Sequence, residues 1–185
     1  MARARATGRT QTYAALLRGI NLGSHNKVAM TDLRALFEDL DAEDVRTYVQ
    51  SGNVVFRSKR TAAELETAAE REIAKALSLD VTVLMRTKAQ LARLVRDNPF
   101  ARKPEKALHV TFLAEKPPVA RVRDLDPRGF EPDTFEVSGR EVYLHVPNGY
   151  GHSKLSNAYF EKALGVRATT RNWRTVTALA GLAAA

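Results

Sequence analysis

A chain of 185 residues that is 44% hydrophobic can bury a real core, as one domain or as two small ones. It has no cysteine, which excludes disulfides, thiolate metal sites and a cysteine nucleophile, and which fits a reducing cytoplasm. The formal charge is +8, but Arg3, Arg5 and Arg9 sit in a leading stretch without an acid or a bulky aliphatic residue; the remainder carries about +5, which suits an anionic ligand and is also ordinary for a soluble protein.

Residues 1–11 therefore read as a disordered basic tail, and without an apolar central region they are not a secretory signal. Tyr13 to Arg18 reads as a buried strand, and it opens into the polar loop RGINLGSHNKV, Arg18 to Val28. Thr31-Asp32 is placed to cap a helix whose apolar positions, Leu33, Leu36, Phe37 and Leu40, follow helical spacing. Val45 to Gln50 and Asn53 to Phe56 are short and β-branched or aromatic, and Ser51-Gly52 between them is a hairpin signal. Thr61, with Glu64 three residues on, forms a capping box for a helix with the stripe Leu65, Ala69, Ile73, Ala76 and Leu77. Val81 to Met85 alternates as a strand, with Val81, Val83 and Met85 on one face.

Lys88 to Asp97 reads as a connecting helix ended by Asn98-Pro99. Leu108 to Leu113 is a strand, and Pro117-Pro118 opens a short helical stretch from Val119 to Leu125. Thr134 to Val137 and Glu141 to Val146 form a hairpin around Ser138-Gly139. Ser153 to Leu164 reads as a helix ended by Gly165, Ala168 to Arg171 as a last strand, and Trp173 to Leu182 as a terminal helix. The most apolar run, ALAGLAAA, is far short of the roughly 20 residues of a membrane span. The expectation is a cytoplasmic protein with no membrane partner.

The element order strand, helix, strand, strand, helix, strand occurs twice. QSGNVVF and VSGREVY match in kind, and a Lys-Ala-Leu follows the hairpin serine at the same interval in both halves (Ser51 to Lys75, Ser138 to Lys162). The predicted fold is α+β: two tandem ferredoxin-like βαββαβ subdomains with antiparallel sheets, plus connecting and C-terminal helices. Residues 12–87 form the first subdomain, 88–107 a connecting helix and linker, and 108–185 the second subdomain with its terminal helix.

In such a sheet the loop after the first strand and the hairpin between the middle strands share one end, so RGINLGSHNKV and Gln50-Ser51-Gly52-Asn53 are expected to be neighbours. In the second half the loop PNGYGHSKL, Pro147 to Leu155, is expected beside TTRNW, Thr169 to Trp173, at the opposite end. If the halves stack head to tail, the two polar edges would face one cleft. In PNGYGHSKL, Ser153 would sit at a helix N-terminus with Lys154 beside it, an arrangement suited to an anion. The plain alternative is a serine cap after a glycine turn, with Lys154 solvated. In the first loop Gly19 and Gly23 permit positive backbone angles, and Asn21 and Asn26 close turns. That accounts less well for Arg18, His25 and Lys27, which a turn does not need.

Other chemistry is weakly signalled. His25, His109, His145 and His152 show no ligand spacing, so no metal is expected. No GxSxG elbow places Ser51 or Ser153 as a nucleophile, and paired carboxylates are absent from the polar loops, so no catalytic residue is assigned and the cofactor is unknown. Asp32, Glu38, Asp39, Glu64 and Glu66 fall on helix surfaces and are expected to be solvated. The element order also invites an RNA-recognition reading, but the third strand NVVFRS offers only Phe56 and no Lys/Arg-Gly-aromatic start, and in the second half Tyr143 lies beside Glu141, which would repel a phosphate.

RGINLGSHNKVAMTDLRALFEDL, YVQSGNVVF, NGYGHSKL and TRNWRTVTAL, in this order, resemble the bacterial domain-of-unknown-function family numbered 1697, over about Tyr13 to Leu182. Ser24-His25 stands where that pattern more often has glycine and lysine. The resemblance implies two ferredoxin-like subdomains and brings no activity, cofactor or catalytic residue. Two functions follow. In one, the cleft between the subdomains accepts a phosphorylated small molecule or nucleotide, as a binding protein or a transferase-like enzyme. Arg18, Lys27, Lys154 and Arg171 would bind the anion, with Asn21, Asn26, Gln50, Asn53, Ser153 and Asn172 around it. In the other, the chain is a non-catalytic interaction module for nucleic acid or protein.

Overall fold

The computed structural model describes residues 9–22 and 26–185. The first eight residues of the expected tail, and His25 in the first polar loop, lie outside that range. The chain forms two compact units: one runs through Leu91 and takes in Leu179–Ala185, and the other is Ala92–Ala178.

The first unit is built from β1 (Gln11–Leu17), α1 (Met30–Glu38), β2 (Glu43–Tyr48), β3 (Asn53–Ser58), α2 (Ala62–Leu77) and β4 (Val83–Thr87). All strand pairs are antiparallel, in the order β2-β3-β1-β4. Gln11, which the sequence reading gives to the tail, is the first residue of β1 and pairs with Ser58. One sheet face carries Tyr13, Ala15, Leu17, Val54, Phe56, Val83 and Met85 against Leu33 and Phe37 of α1 and Leu65, Ala69 and Ile73 of α2. Ala14, Leu16, Val55 and Leu84 on the other face are buried as well, which is why YAALL reads as an unbroken apolar run rather than an alternating one.

The expected capping box at α2 is present: Glu64 N–H donates to Thr61 Oγ1 at 3.3 Å, and Thr61 N–H donates to Glu64 Oε2 at 2.8 Å. Two expectations here are corrected. Thr31 does not cap α1; the helix begins at Met30 after Ala29, with no side-chain cap. Glu66 is not simply solvated, because its carboxylate accepts from Met85 N–H at 2.7 Å, and Glu70 accepts from Val83 N–H at 3.0 Å. These bonds satisfy the outward amides of edge strand β4, which would otherwise invite strand pairing.

The second unit holds most of α3 (Lys88–Arg96), then β5 (Leu108–Leu113), α4 (Val119–Arg123), β6 (Thr134–Ser138), β7 (Glu141–His145), α5 (Asn157–Leu164) and β8 (Ala168–Asn172), followed by α6 (Trp173–Ala184). Its antiparallel order is β6-β7-β5-β8. Leu113, Val142, Leu144 and Ala168 pack with Leu155, Phe160 and Leu164. An aromatic chain closes the core: Phe130, Tyr159, Phe160 and Phe135 follow one another at centroid distances of 4.8, 5.1 and 5.4 Å. Both Lys-Ala-Leu helix ends stop on a left-handed residue, Ser78 at φ 54° and Gly165 at φ 73°.

Candidate ligand-binding edges

In the first unit the loop after β1 and the β2–β3 turn meet, as expected. Leu17 N–H donates to Gly52 C=O at 2.8 Å, and Asn21 Nδ2 donates to Gln50 C=O at 2.8 Å. Asn21 is the brace of this edge: Nδ2 also donates to Val28 C=O at 2.9 Å, Oδ1 accepts from Val28 N–H at 2.8 Å, and its own N–H donates to Asn26 C=O at 2.9 Å. Asn26 Nδ2 donates to Gly19 C=O at 2.9 Å. Both asparagines lie in the left-handed region, at φ 52° and 48°, a conformation their short amides tolerate and stabilise by local bonding.

The two asparagine amides are thus committed to backbone, and hold the loop rather than reach out of it. Asn53 behaves alike: fully buried, its Nδ2 donates to Tyr48 C=O and to Ser51 Oγ. Arg18 is half-buried beside this frame, its N–H donating to Thr82 C=O at 2.9 Å, while Lys27 is exposed. The edge also shows two exposed aliphatic residues, Leu22 and Val49, which flank the Asn21–Gln50 bond. Val49 lies outside β2, although periodicity carries that strand to Gln50; its φ of 49° ends the ladder at Tyr48.

The second unit brings its loop to the end of β8, again as expected. Tyr150 stacks on His109 of β5 with centroids 5.0 Å apart, and Thr170 of β8 donates to Asn157 Oδ1 at 2.7 Å while its oxygen lies 2.7 Å from that of Thr111. Burial lowers the His109 pKa and keeps the imidazole neutral, a nearby Ala107 carbonyl opposing only in part.

Two site expectations change. Ser153 is not at a helix N-terminus: α5 starts at Asn157 with Ser156 as its cap, and Ser153 Oγ accepts from Leu155 N–H at 3.1 Å in an extended conformation. Leu155 is completely buried, and reaching its core position keeps the chain extended for three more residues. Arg171 does not join Ser153 and Lys154, because on β8 Ala168 and Thr170 face α5 and Arg171 alternates to the opposite face. There it is buried, with Nη1 donating to Thr169 Oγ1 and Thr170 C=O, and desolvation lowers its pKa to about 10, still a cation at neutral pH. Asn172 Oδ1 accepts from Thr175 N–H at 2.8 Å and caps α6; Lys154 is exposed.

The sequence reading missed Arg86. It is 1% exposed, and its Nη1 donates to the carbonyl of the preceding residue, Met85, as Arg171 does to Thr170. Each arginine directly precedes a helix-capping residue, Thr87 for α3 and Asn172 for α6. The repeat held the clue, Arg-Thr ending one half and Arg-Asn the other.

Phe56 and Tyr143 are both buried, so neither offers a ring for base stacking. A wide depression of about 600 Å³ along β2 is lined by Arg34, Glu38, Asp44 and Arg46; Arg34 Nε there donates to Glu38 Oε1 at 2.9 Å, and the opposed charges favour no net ionic ligand. Among the described residues no group of three His, Asp or Glu side chains could hold a metal, and no helix is long and apolar enough to cross a membrane.

A family model described as a protein of unknown function, DUF1697, matches residues 10–143. The fold is similar to that of a conserved bacterial protein, SP0830 from Streptococcus pneumoniae, with a TM-score of 0.77 and 22% identity over 95% of this chain and 99% of that one. No curated protein matches.

Proposed function

The chain belongs to the DUF1697 family of proteins of unknown function, and from the construction of its first polar edge we propose that it binds a phosphorylated or otherwise anionic small ligand there. The observation that carries this is the double-asparagine brace: five hydrogen bonds made by the left-handed residues Asn21 and Asn26 tie Gly19, Val28 and Gln50 together beside Arg18 and Lys27. Backbone tied this way sets the attachment points of the two cations before the ligand arrives, which lowers the entropy lost on binding. The edge has no carboxylate on either strand turn, so the role we assign is binding and orientation rather than proton transfer. In the second unit the same reading gives Lys154 the anion contact, with Ser153 Oγ holding the backbone at Leu155 beside it. We read each unit as ferredoxin-like, a reading supported by the antiparallel orders β2-β3-β1-β4 and β6-β7-β5-β8, and the protein as cytoplasmic.

Inorganic phosphate should raise the Tm above the value in chloride at equal ionic strength, by mass action on the folded state. Lys27→Ala and Arg18→Ala should each remove most of that difference. Equal Tm values in the two salts for the parent chain would overturn the reading.

A further inference from the structure

We infer that the ligand of the first edge carries an apolar group beside its anionic one, seated on Leu22 and Val49. This rests on the anion-binding reading and adds a chemical class to it: a phosphate monoester or a carboxylate with an aliphatic or aromatic substituent.

Six non-glycine residues among those described have positive φ: Asn21, Asn26, Asp41, Asp44 and Ser78 are short and polar, and the sixth is Val49 at φ 49°. For a β-branched side chain this conformation is a genuine outlier, because both γ carbons crowd the backbone. An asparagine or glycine would hold the same turn with less strain. Burial does not explain the choice, because Val49 is 51% exposed. A strained apolar residue turned to solvent gains nothing for the fold, so its use lies in what it meets.

Leu22 makes the position a pair. At 64% exposure it is another large aliphatic residue left in solvent, and it adjoins Asn21, whose amide bonds Gln50, the neighbour of Val49. The same frame ties together the backbone that carries the cations, since Asn26 next to Lys27 bonds the carbonyl of Gly19 next to Arg18. Two apolar side chains and two cations on one braced edge fit an amphipathic anion: charge complementarity takes its head and the aliphatic pair takes its body.

The test is a titration of the full chain with inorganic phosphate and with ethyl, butyl and hexyl phosphate at constant ionic strength, read by calorimetry. Each methylene buried against Leu22 and Val49 should tighten binding by up to about fourfold until the pair is covered. Val49→Asn and Leu22→Ser should each flatten that dependence on chain length. Val119→Asn, at an exposed valine in the other unit (59%), should leave it as steep as in the parent. Val49→Asn relieves strain and should not lower the Tm, so a flattened series is not an unfolded one. Equal affinity for all four anions in the parent would overturn the apolar seat and leave the anion reading standing. A dependence that stays steep in both edge variants would place the apolar group elsewhere and also overturn it. No binding of any of the four would remove the anion reading itself, and this inference with it.

Discussion

Gly52→Ala isolates how the candidate edge is anchored to the core. Gly52 sits at φ 76°, and a Cβ there would lie 2.8 Å from Ile20 Cγ1 and Cδ1 and 2.8 Å from Leu17 Cβ. The isoleucine tip can rotate away. Leu17 Cβ cannot move without displacing β1, whose Leu17 N–H is bonded to Gly52 C=O at 2.8 Å. The left-handed angle costs alanine about 1–2 kcal/mol, and the forced contact adds about 1–3 kcal/mol. For a chain of this length the combined loss corresponds to a fall in Tm of roughly 5–15 °C. Gly19→Ala is the matched control: its φ is 71°, but nothing lies within 4 Å of the added carbon, so it should show the backbone part alone. Calorimetry or urea denaturation of both variants separates the two contributions. Equal losses would refute the packing account, and a Gly52→Ala chain as stable as the parent would refute both parts.

Thr61→Ala removes the acceptor of Glu64 N–H and should lower the Tm by roughly 2–4 °C, checked by thermal unfolding against Thr31→Ala, which caps nothing and should change it little. Burial pushes the Tyr143 phenol up to about 12, and its hydroxyl donates to Leu94 C=O at 3.0 Å. Between pH 10 and pH 12 the folded chain therefore keeps a proton that the unfolded chain has lost, so stability should fall as pH rises through that window, and Tyr143→Phe should flatten the fall. His109 works in the other sense: with its folded pKa depressed by burial, stability should be fully present above pH 6.5 and be lost as pH falls toward the folded value, and an NMR titration should place this histidine below 6.5.

Local signals in the sequence located most elements. The Thr61 box, the hairpin glycines at Gly52 and Gly139, and the Gly165 stop each act within a few residues, so the chain states them directly. Errors came where a distant contact chose between two local options. Ser153 reads as a cap, but Leu155 two residues on is buried and Ser156 caps α5 instead. Val49 has a strand former's side chain, and the bond from Asn21 to Gln50 belongs to a turn that ends the strand before it. Glu66 looks like a surface acid because nothing near it in sequence reveals the unpaired amides of β4. Arg171 looks like an anion ligand until its strand alternation is counted from Ala168, which puts it on the face away from α5.

The repeat separates scaffold from function. Features that recur in both units include the strand order, the left-handed helix stops, and the buried arginine bonded to the carbonyl before it and followed by a helix cap. Their presence in both copies means that they serve what both copies must do, which is to form a four-stranded sheet and turn its last strand into a helix. The hairpins break the pattern. In the second unit Ser138 pairs with Glu141 across a two-residue turn with Gly139 at φ 62°, a tight and unstrained solution. In the first unit Tyr48 pairs with Asn53 across a longer turn that holds a strained, exposed valine and receives the Asn21 amide. A fold able to make the short turn in one copy has no structural need for the longer one in the other. The longer turn with its strained valine is therefore a feature of the first edge alone, whereas the buried arginines belong to the frame common to both units.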